Sequence, residues 1–324
     1  KELNNSTVAI DAFNTLYQFL SIIRQQDGTP LVDDRGNVTS HLSGIIYRVT
    51  NLVEEGIKPV FVFDGKPPSF KAETIKARHE VREAARQMYE AAKAAGSTEA
   101  YRYAQASTSI NKDIVRDAKE LLGYMGVPFI TAPSEGEAEA SYMVIKGNAD
   151  YVGSQDYDAL LFGAPRVVRN ITITGKRKIP RKNIMVDVKP EVLELEEVLK
   201  ALDITREQLI DLAILVGTDY NPGIYKVGPK TALKLVRKYP GNMQGIFDQI
   251  GQTVENYEGI KQFFLHPDVS DQYEIKWGKP EPEKIKKFLC EEHSFSPERV
   301  DKVLERLTKA MSETKKQKTL SAWF

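Results

Sequence analysis

At 324 residues, with 41% hydrophobic and 28% charged side chains, the chain can bury a large core and is too apolar to be disordered. Its 45 basic and 45 acidic residues cancel, which argues against indiscriminate polyanion binding, and no apolar run approaches the roughly 18 residues that cross a bilayer. The lone cysteine, Cys290, forbids an internal disulfide, fits a reducing intracellular setting and reads as a small buried hydrophobe.

Short apolar runs alternate with helical patterns over the first two-thirds of the chain, which predicts an α/β fold with a mainly parallel central sheet flanked by helices. Residues 7–10 read as a strand and 13–23 as a helix. Residues 40–55 predict a second helix, ended near Gly56, that feeds a strand at 58–63. Residues 66–107 break the alternation: they are rich in alanine, charge and helix formers and poor in large apolar side chains, so a helical insertion projecting from the sheet is expected. Lys71, Arg78, Arg82, Arg86 and Lys93 share one face of it, although Glu73, Glu80, Glu83 and Glu90 would equally suit a salt-bridged surface helix. Alternation resumes with a helix over 110–124, a strand at 128–131, a helix from Glu135 and a strand at 151–153. Residues 167–174 and 179–186 suggest a basic hairpin, over about 165–186 in all. Thr205 with Gln208 forms a capping box opening a helix over 205–216, and Pro229 stands at the first position of another.

Seven acidic residues sit where apolar runs end: Asp11, Asp64, Glu135, Glu137, Asp156, Asp158 and Asp219. In an α/β sheet, residues just beyond strand ends converge on one site. Strand ends are polar in any fold, so one such residue says little. Seven together would repel one another strongly, and divalent cations are the usual remedy. Ser134 could cap a helix with Glu137, which would explain Glu137 structurally but not Glu135. Four histidines with no pair at ligand spacing, and one cysteine, make a zinc cage improbable; carboxylates alone point to Mg²⁺ or Mn²⁺. Two ions roughly 4 Å apart would suit in-line phosphodiester hydrolysis.

Zero net charge hides segregation. Residues 159–186 carry seven basic residues, among them Arg166, Arg169, Arg181 and Lys182, and no acid; residues 220–247 carry five and no acid. Basic tracts beside an acidic centre suit a polyanion held while metals act on it, or else are solvated faces. The stretch from Gly223 to Thr231 imitates a phosphate loop, but Pro229 breaks the spacing. It reads better as part of a helix–turn–helix clamp on DNA backbone, with Lys226, Lys230 and Lys234 at helical spacing.

The runs AIDAFNTLYQFL, TSHLSGIIYR, IKPVFVFDGKPP, APSEGEAEA, GSQDYDALLFG and VGTDYNPGIYKVGPKTAL resemble, in order and over nearly the whole chain, the structure-specific flap endonucleases of the wider XPG nuclease family. The resemblance implies two Mg²⁺ ions, one near Asp11, Asp64, Glu135 and Glu137, the other near Asp156, Asp158 and Asp219. It implies that Lys71 and Arg78 grip the scissile phosphate and that Tyr17 stacks on an unpaired base. Arg24, Arg48, Glu135, Gly217 and Asp219 would join Lys226, Lys230 and Lys234 in touching DNA. Carbonyls of Gly223, Ile224 and Val227 would hold K⁺ in a helix–two-turn–helix element over about 205–250. After a single nuclease domain over 1–311, a flexible tail over 312–324 resembles the motif that binds the sliding clamp (PCNA), through Gln317, Leu320, Trp323 and Phe324.

The activity implied is cleavage of 5′ flaps, with 5′–3′ exonuclease action, by a monomer that needs no membrane. A junction-binding scaffold without catalysis, or a sibling exonuclease or bubble endonuclease, are the rival readings. Family members usually begin Met-Gly, so a segment is expected before Lys1. The lack of a long basic extension after Phe324 suggests an archaeal source, hence a cytoplasmic setting rather than a nuclear one.

Overall fold

Strand β1 (Thr7–Asp11) is apolar from Val8 to Ile10, and these three are sealed from solvent. A strand buried on both faces belongs in the interior of a sheet covered by helices. The computed structural model, which describes residues 3–172, 176–178 and 185–321, has that arrangement. After β1 come α1 (Ala12–Ile22), α2 (Ser40–Gly44), α3 (Thr50–Glu54), β2 (Lys58–Phe63), α4 (Ala72–Ala94), α5 (Ala100–Ala106) and α6 (Lys112–Tyr124). Next are β3 (Phe129–Thr131), α7 (Gly136–Ile145), β4 (Tyr151–Gly153), α8 (Asp158–Leu161) and β5 (Arg166–Arg169). A small ribbon of β6 (Lys176–Lys178) and β7 (Met185–Asp187) precedes β8 (Glu191–Glu194), α9 (Leu195–Leu202), α10 (Arg206–Val216) and α11 (Pro229–Lys238). The chain closes with α12 (Met243–Ile250), α13 (Tyr257–Leu265), α14 (Pro282–Lys286) and α15 (Pro297–Ser321).

The main sheet has the order β3-β2-β1-β4-β5-β8, parallel except for β8. Side chains alternate between two cores, as the pleat requires. Ala9, Val60, Val62, Val152 and Val167 face the core built with α7, α8 and α10 to α13. Val8, Ile10, Phe61, Phe63 and Val168 face the core built with α1 to α3, α6 and α15. Successive connections leave β1 toward β2 on one side and reach β4 on the other, so the strand order reverses at β1. Ligands in such sheets bind beyond the carboxyl ends at that point.

Three expectations change. The helix expected over 40–55 contains a π-helical segment, Ile45–Val49, between α2 and α3. The hairpin expected over about 165–186 is smaller: Val167 and Val168 are fully buried, so β5 joins the main sheet beside β4. Only β6 and β7 form the separate ribbon, pairing Lys176 with Asp187 and Lys178 with Met185. Arg181 and Lys182 lie outside the described residues. Finally, the segment expected to be a flexible tail from residue 312 continues α15 as helix to Ser321, as its Glu, Lys and Gln content favours. Trp323 and Phe324 lie outside the described residues.

The arch matches the expected interruption: a 3₁₀ turn, Ser69–Lys71, leads into α4, and α5 packs back on it. Its own buried cluster is only Tyr89, Ala100 and Ala104, so it leans on the body rather than on a core. At its foot Gly65 runs against the strand-end turn so closely that a Cβ there would stand 2.0 Å from the Ala132 carbonyl. Gly65→Ala is therefore expected to cost on the order of 2 kcal/mol and lower Tm by several degrees. Gly123→Ala, on an exposed helical position with open space around it, should instead gain about 0.5–1 kcal/mol. Equal melting of the two variants by calorimetry would refute the crowding at Gly65.

Candidate metal centre and nucleic-acid interface

All seven predicted carboxylates line one cleft of about 500 Å³ at the carboxyl edge of the sheet, together with Phe13, Asn14, Tyr17, Lys71, Arg78, Arg82, Tyr157 and Tyr220. Asp11 ends β1 and caps α1, accepting the Asn14 N–H at 3.0 Å. Asp64, just past β2, accepts the Gly136 N–H at 2.7 Å. That bond needs a glycine, since a Cβ at 136 would meet Asp64 Oδ1 at 2.9 Å and the Val62 carbonyl at 3.0 Å. Helix α7 opens with Glu135 at its cap and no side-chain cap bond, so the Ser134–Glu137 box does not form. Glu137 is thereby left to the cleft. Asp156 follows β4 and Asp158 begins α8; Asp219 follows α10.

Crowding shows in the protonation of these groups. Burial first, then the neighbouring Asp64, pushes Asp11 up to about 8. Burial and Glu135 push Asp64 up to about 6; burial and Asp219 push Asp158 up to about 7. Glu137 is held well above the usual range by burial and by Asp158. Its Oε1 is buried without a hydrogen-bond partner. Two arch cations relieve part of the repulsion. Lys71 bonds Glu135 and stands 3.9 Å from Asp219, and Arg78 pairs with Asp219. Among the described residues, no three acidic, histidine or cysteine side chains close into a ready ligand cage. The donor set nonetheless fits hard divalent cations. It is all oxygen, it holds an unbonded buried carboxylate atom, and it carries more negative charge than its own cations balance.

Sequence reasoning missed Asn14, whose Nδ2 donates to Asp156 Oδ2 at 2.8 Å and so ties the β1 and β4 ends together. Its signal was its place three residues after a capping aspartate. Tyr17 does line the cleft, and the Arg82 guanidinium lies 4.7 Å over its ring. Neither Arg24 nor Arg48 lines it. Arg24 donates at 2.8 Å each to the Leu20 and Gly28 carbonyls and to Thr108 Oγ1, which braces the loop after α1 against the end of the arch.

Beyond Asp219 the turn between α10 and α11 is drawn tight by two glycines. A Cβ on Gly217 would meet the Gly223 nitrogen at 2.7 Å, and one on Gly223 would overlap the Val216 carbonyl. Ile224 N–H donates to Leu215 O at 2.9 Å and Val227 N–H to Ile224 O at 3.0 Å. Lys226, Lys230 and Lys234 are exposed along this turn and α11, whose first residue is Pro229 as the sequence implied. The Thr205–Gln208 capping box that opens α10 is also present.

A parallel sheet with an acidic cleft at its switch point, roofed by a cationic helical arch, is the architecture of a hydrolytic nuclease. The XPG N-terminal domain matches residues 1–85 and the XPG I-region matches residues 126–219. "Flap endonuclease 1" of Methanocella arvoryzae is 82% identical over 324 residues, covering 100% of this chain and 95% of that protein. The Archaeoglobus fulgidus protein of the same name is 57% identical over 317 residues, covering 98% and 93%. The solved flap endonuclease-1 from Methanococcus jannaschii superposes with a TM-score of 0.75 at 41% identity, over 96% of this chain and 94% of that one. The catalytic core of Rad2 in complex with DNA substrate gives 0.67 at 25% identity, over 94% of each. The chain belongs to the XPG nuclease family, and within it to the flap endonucleases.

The raised carboxyls set a pH dependence. A carboxyl held above its ordinary value keeps, in the folded chain, a proton that the unfolded chain has released. Folding stability without divalent ions therefore falls as pH rises from the ordinary carboxylate range through the values near 6, 7 and 8. In chelator, Tm at about pH 8.5 should lie below Tm at about pH 5, and saturating Mg²⁺ should remove most of the difference. A chelated protein whose Tm holds level across that window would contradict the crowding.

Proposed function

We propose that this chain is a divalent-metal-dependent, structure-specific 5′ flap endonuclease, with accompanying 5′–3′ exonuclease activity, acting on branched DNA in replication and repair. What carries the proposal is the single cleft in which seven carboxylates meet two cations rooted in the arch foot. Two Mg²⁺ ions, or Mn²⁺ in their stead, would be held by Asp11, Asp64, Glu135 and Glu137 and by Asp156, Asp158 and Asp219. Bound there, they would supply Lewis acidity for phosphodiester hydrolysis.

The remaining tasks fall to the chain itself. Lys71 and Arg78, once Glu135 and Asp219 are neutralised by other cations, are free to face the scissile phosphate and stabilise its developing charge. Tyr17 offers a ring for an unpaired base, at the expense of its contact with Arg82. The tight Gly217–Gly223 turn and Lys226, Lys230 and Lys234 hold duplex backbone, contacts that position without reading sequence. Carbonyls of Gly223, Ile224 and Val227 are the candidate K⁺ ligands in that turn. Gln317, Leu320, Trp323 and Phe324 are proposed as the attachment to the sliding clamp.

Mg²⁺-dependent cleavage of matched flap, nicked, gapped and bubble substrates tests the reading, with the flap expected to be cut fastest. Asp158→Ala or Asp219→Ala should abolish turnover while leaving flap binding largely intact. Lys230→Ala or Lys234→Ala should weaken binding across sequences and flatten its salt slope by about one unit per lost phosphate contact. An Asp158→Ala enzyme that keeps most of its turnover would remove that residue from the metal site.

The clamp reading is tested separately. Trp323→Ala with Phe324→Ala should eliminate calorimetric binding to the cognate clamp, because buried aromatics dominate small interfaces, while cleavage without clamp stays unchanged. Undiminished affinity in that double variant would refute the motif.

A further inference from the structure

Phe70 directly precedes Lys71, and Tyr220 directly follows Asp219. Their rings meet edge to face at 5.5 Å between centroids. A third ring, Phe263 of α13, closes the triangle at 5.3 Å from Phe70 and 5.1 Å from Tyr220. All three contacts are steeply tilted, at 79°, 77° and 67°, the arrangement that ring quadrupoles favour. The triangle is anchored from behind. Tyr220 packs at 5.3 Å on Phe264, and Phe162, four residues after Asp158, meets Phe263 at 5.7 Å and Phe264 at 5.0 Å.

The three corners come from separate elements: the 3₁₀ turn at the arch foot, the loop after α10, and α13. Helix α13 is in turn fastened to α10, where Tyr257 donates to the buried Asp211 at 2.7 Å and Lys261 reaches it at 3.0 Å. The Lys71 ammonium lies 5.5 Å from the Tyr220 ring centroid, so the same ring that braces Phe70 also forms a wall for the lysine. A lysine has four side-chain torsions, and its ammonium is held in place only if its backbone and walls are.

We propose that Phe70, Tyr220 and Phe263 form a positioning brace that seats the arch foot against α13 and thereby holds the Lys71 ammonium in register with Glu135, Asp219 and the phosphate they face. These are positioning residues that act through Lys71; Phe70 and Phe263 stand outside the cleft lining that Tyr220 joins. The inference rests on the reading of Lys71 as a phosphate-stabilising group.

A double-mutant cycle tests it, with single-turnover cleavage of a flap substrate at saturating DNA and Mg²⁺. Phe70→Ala and Phe263→Ala should each slow cleavage about tenfold, equivalent to about 1.4 kcal/mol, while the DNA dissociation constant changes by less than about twofold. The combination of Phe70→Ala with Lys71→Ala should be no slower than Lys71→Ala alone, and Phe70→Trp should recover most of the rate. Multiplying losses in the double variant, or losses that track DNA affinity or Tm, would overturn the brace. Phe70→Leu, which keeps most of the volume and loses the ring edge, carries the same cycle should the alanine variant fail to fold. A Lys71→Ala enzyme with an undiminished single-turnover rate would instead overturn the reading of Lys71, an outcome distinct from failure of the brace.

Discussion

Concentrated negative charge is the constraint around which the rest of this molecule is organised. Two carboxylates about 4 Å apart repel by about 4 kcal/mol at the effective dielectric of a protein surface, and this cleft gathers seven. The chain without metal answers in two ways. Asp11, Asp64, Glu137 and Asp158 hold their protons above the usual range, and Glu135 and Asp219 are met by Lys71 and Arg78. Divalent cations would be a third answer, and the only one that leaves every carboxylate ionised and both arch cations free.

Holding such a cluster together needs a rigid base, and the sheet provides it. β1, β2 and β4 lie between two apolar cores, with Val8, Ala9, Ile10, Val60, Val62 and Val152 inaccessible to solvent. Asp11 and Asp64 are the first polar residues after such buried runs, so each emerges at a position set by packing. Close backbone approaches then fix their directions. Gly136 brings its N–H to Asp64, and Asn14 spans from the end of β1 to Asp156. Burial thus supplies both the precision of the site and the desolvation that makes its charges costly.

The arch shows the opposite economy. It has almost no core of its own, and part of its attachment is cationic: Lys71 and Arg78 on the acids, Arg82 on Tyr17, Lys93 on Asp27. Most of these are charged, so their strength varies with metal, salt and any polyanion present. The ring triangle at Phe70 adds an apolar contact at the arch foot. It joins the base of a charge-held element to the helices beyond Asp219, which is where a stable reference is needed.

The sequence by itself determined much of this. Alternating apolar runs announced the parallel sheet, seven acids at the ends of such runs announced one shared cleft, and Pro229 and Thr205 marked helix starts at their observed places. These features are local: periodicity, strand ends and caps are written in adjacent residues. Reading them further than locally failed. Residues 167–174 looked like one arm of a basic hairpin until the complete burial of Val167 and Val168 put β5 in the main sheet. Glu137 could have been a helix cap, and only the start of α7 at Gly136 freed it for the cleft. Tertiary structure alone decided which cation meets which acid, and which rings meet one another, because Phe70, Tyr220 and Phe263 are brought together by packing between elements far apart in the chain. Charge type and spacing are properties of a residue and its neighbours. Burial, repulsion and ring contact are properties of what the fold sets beside it.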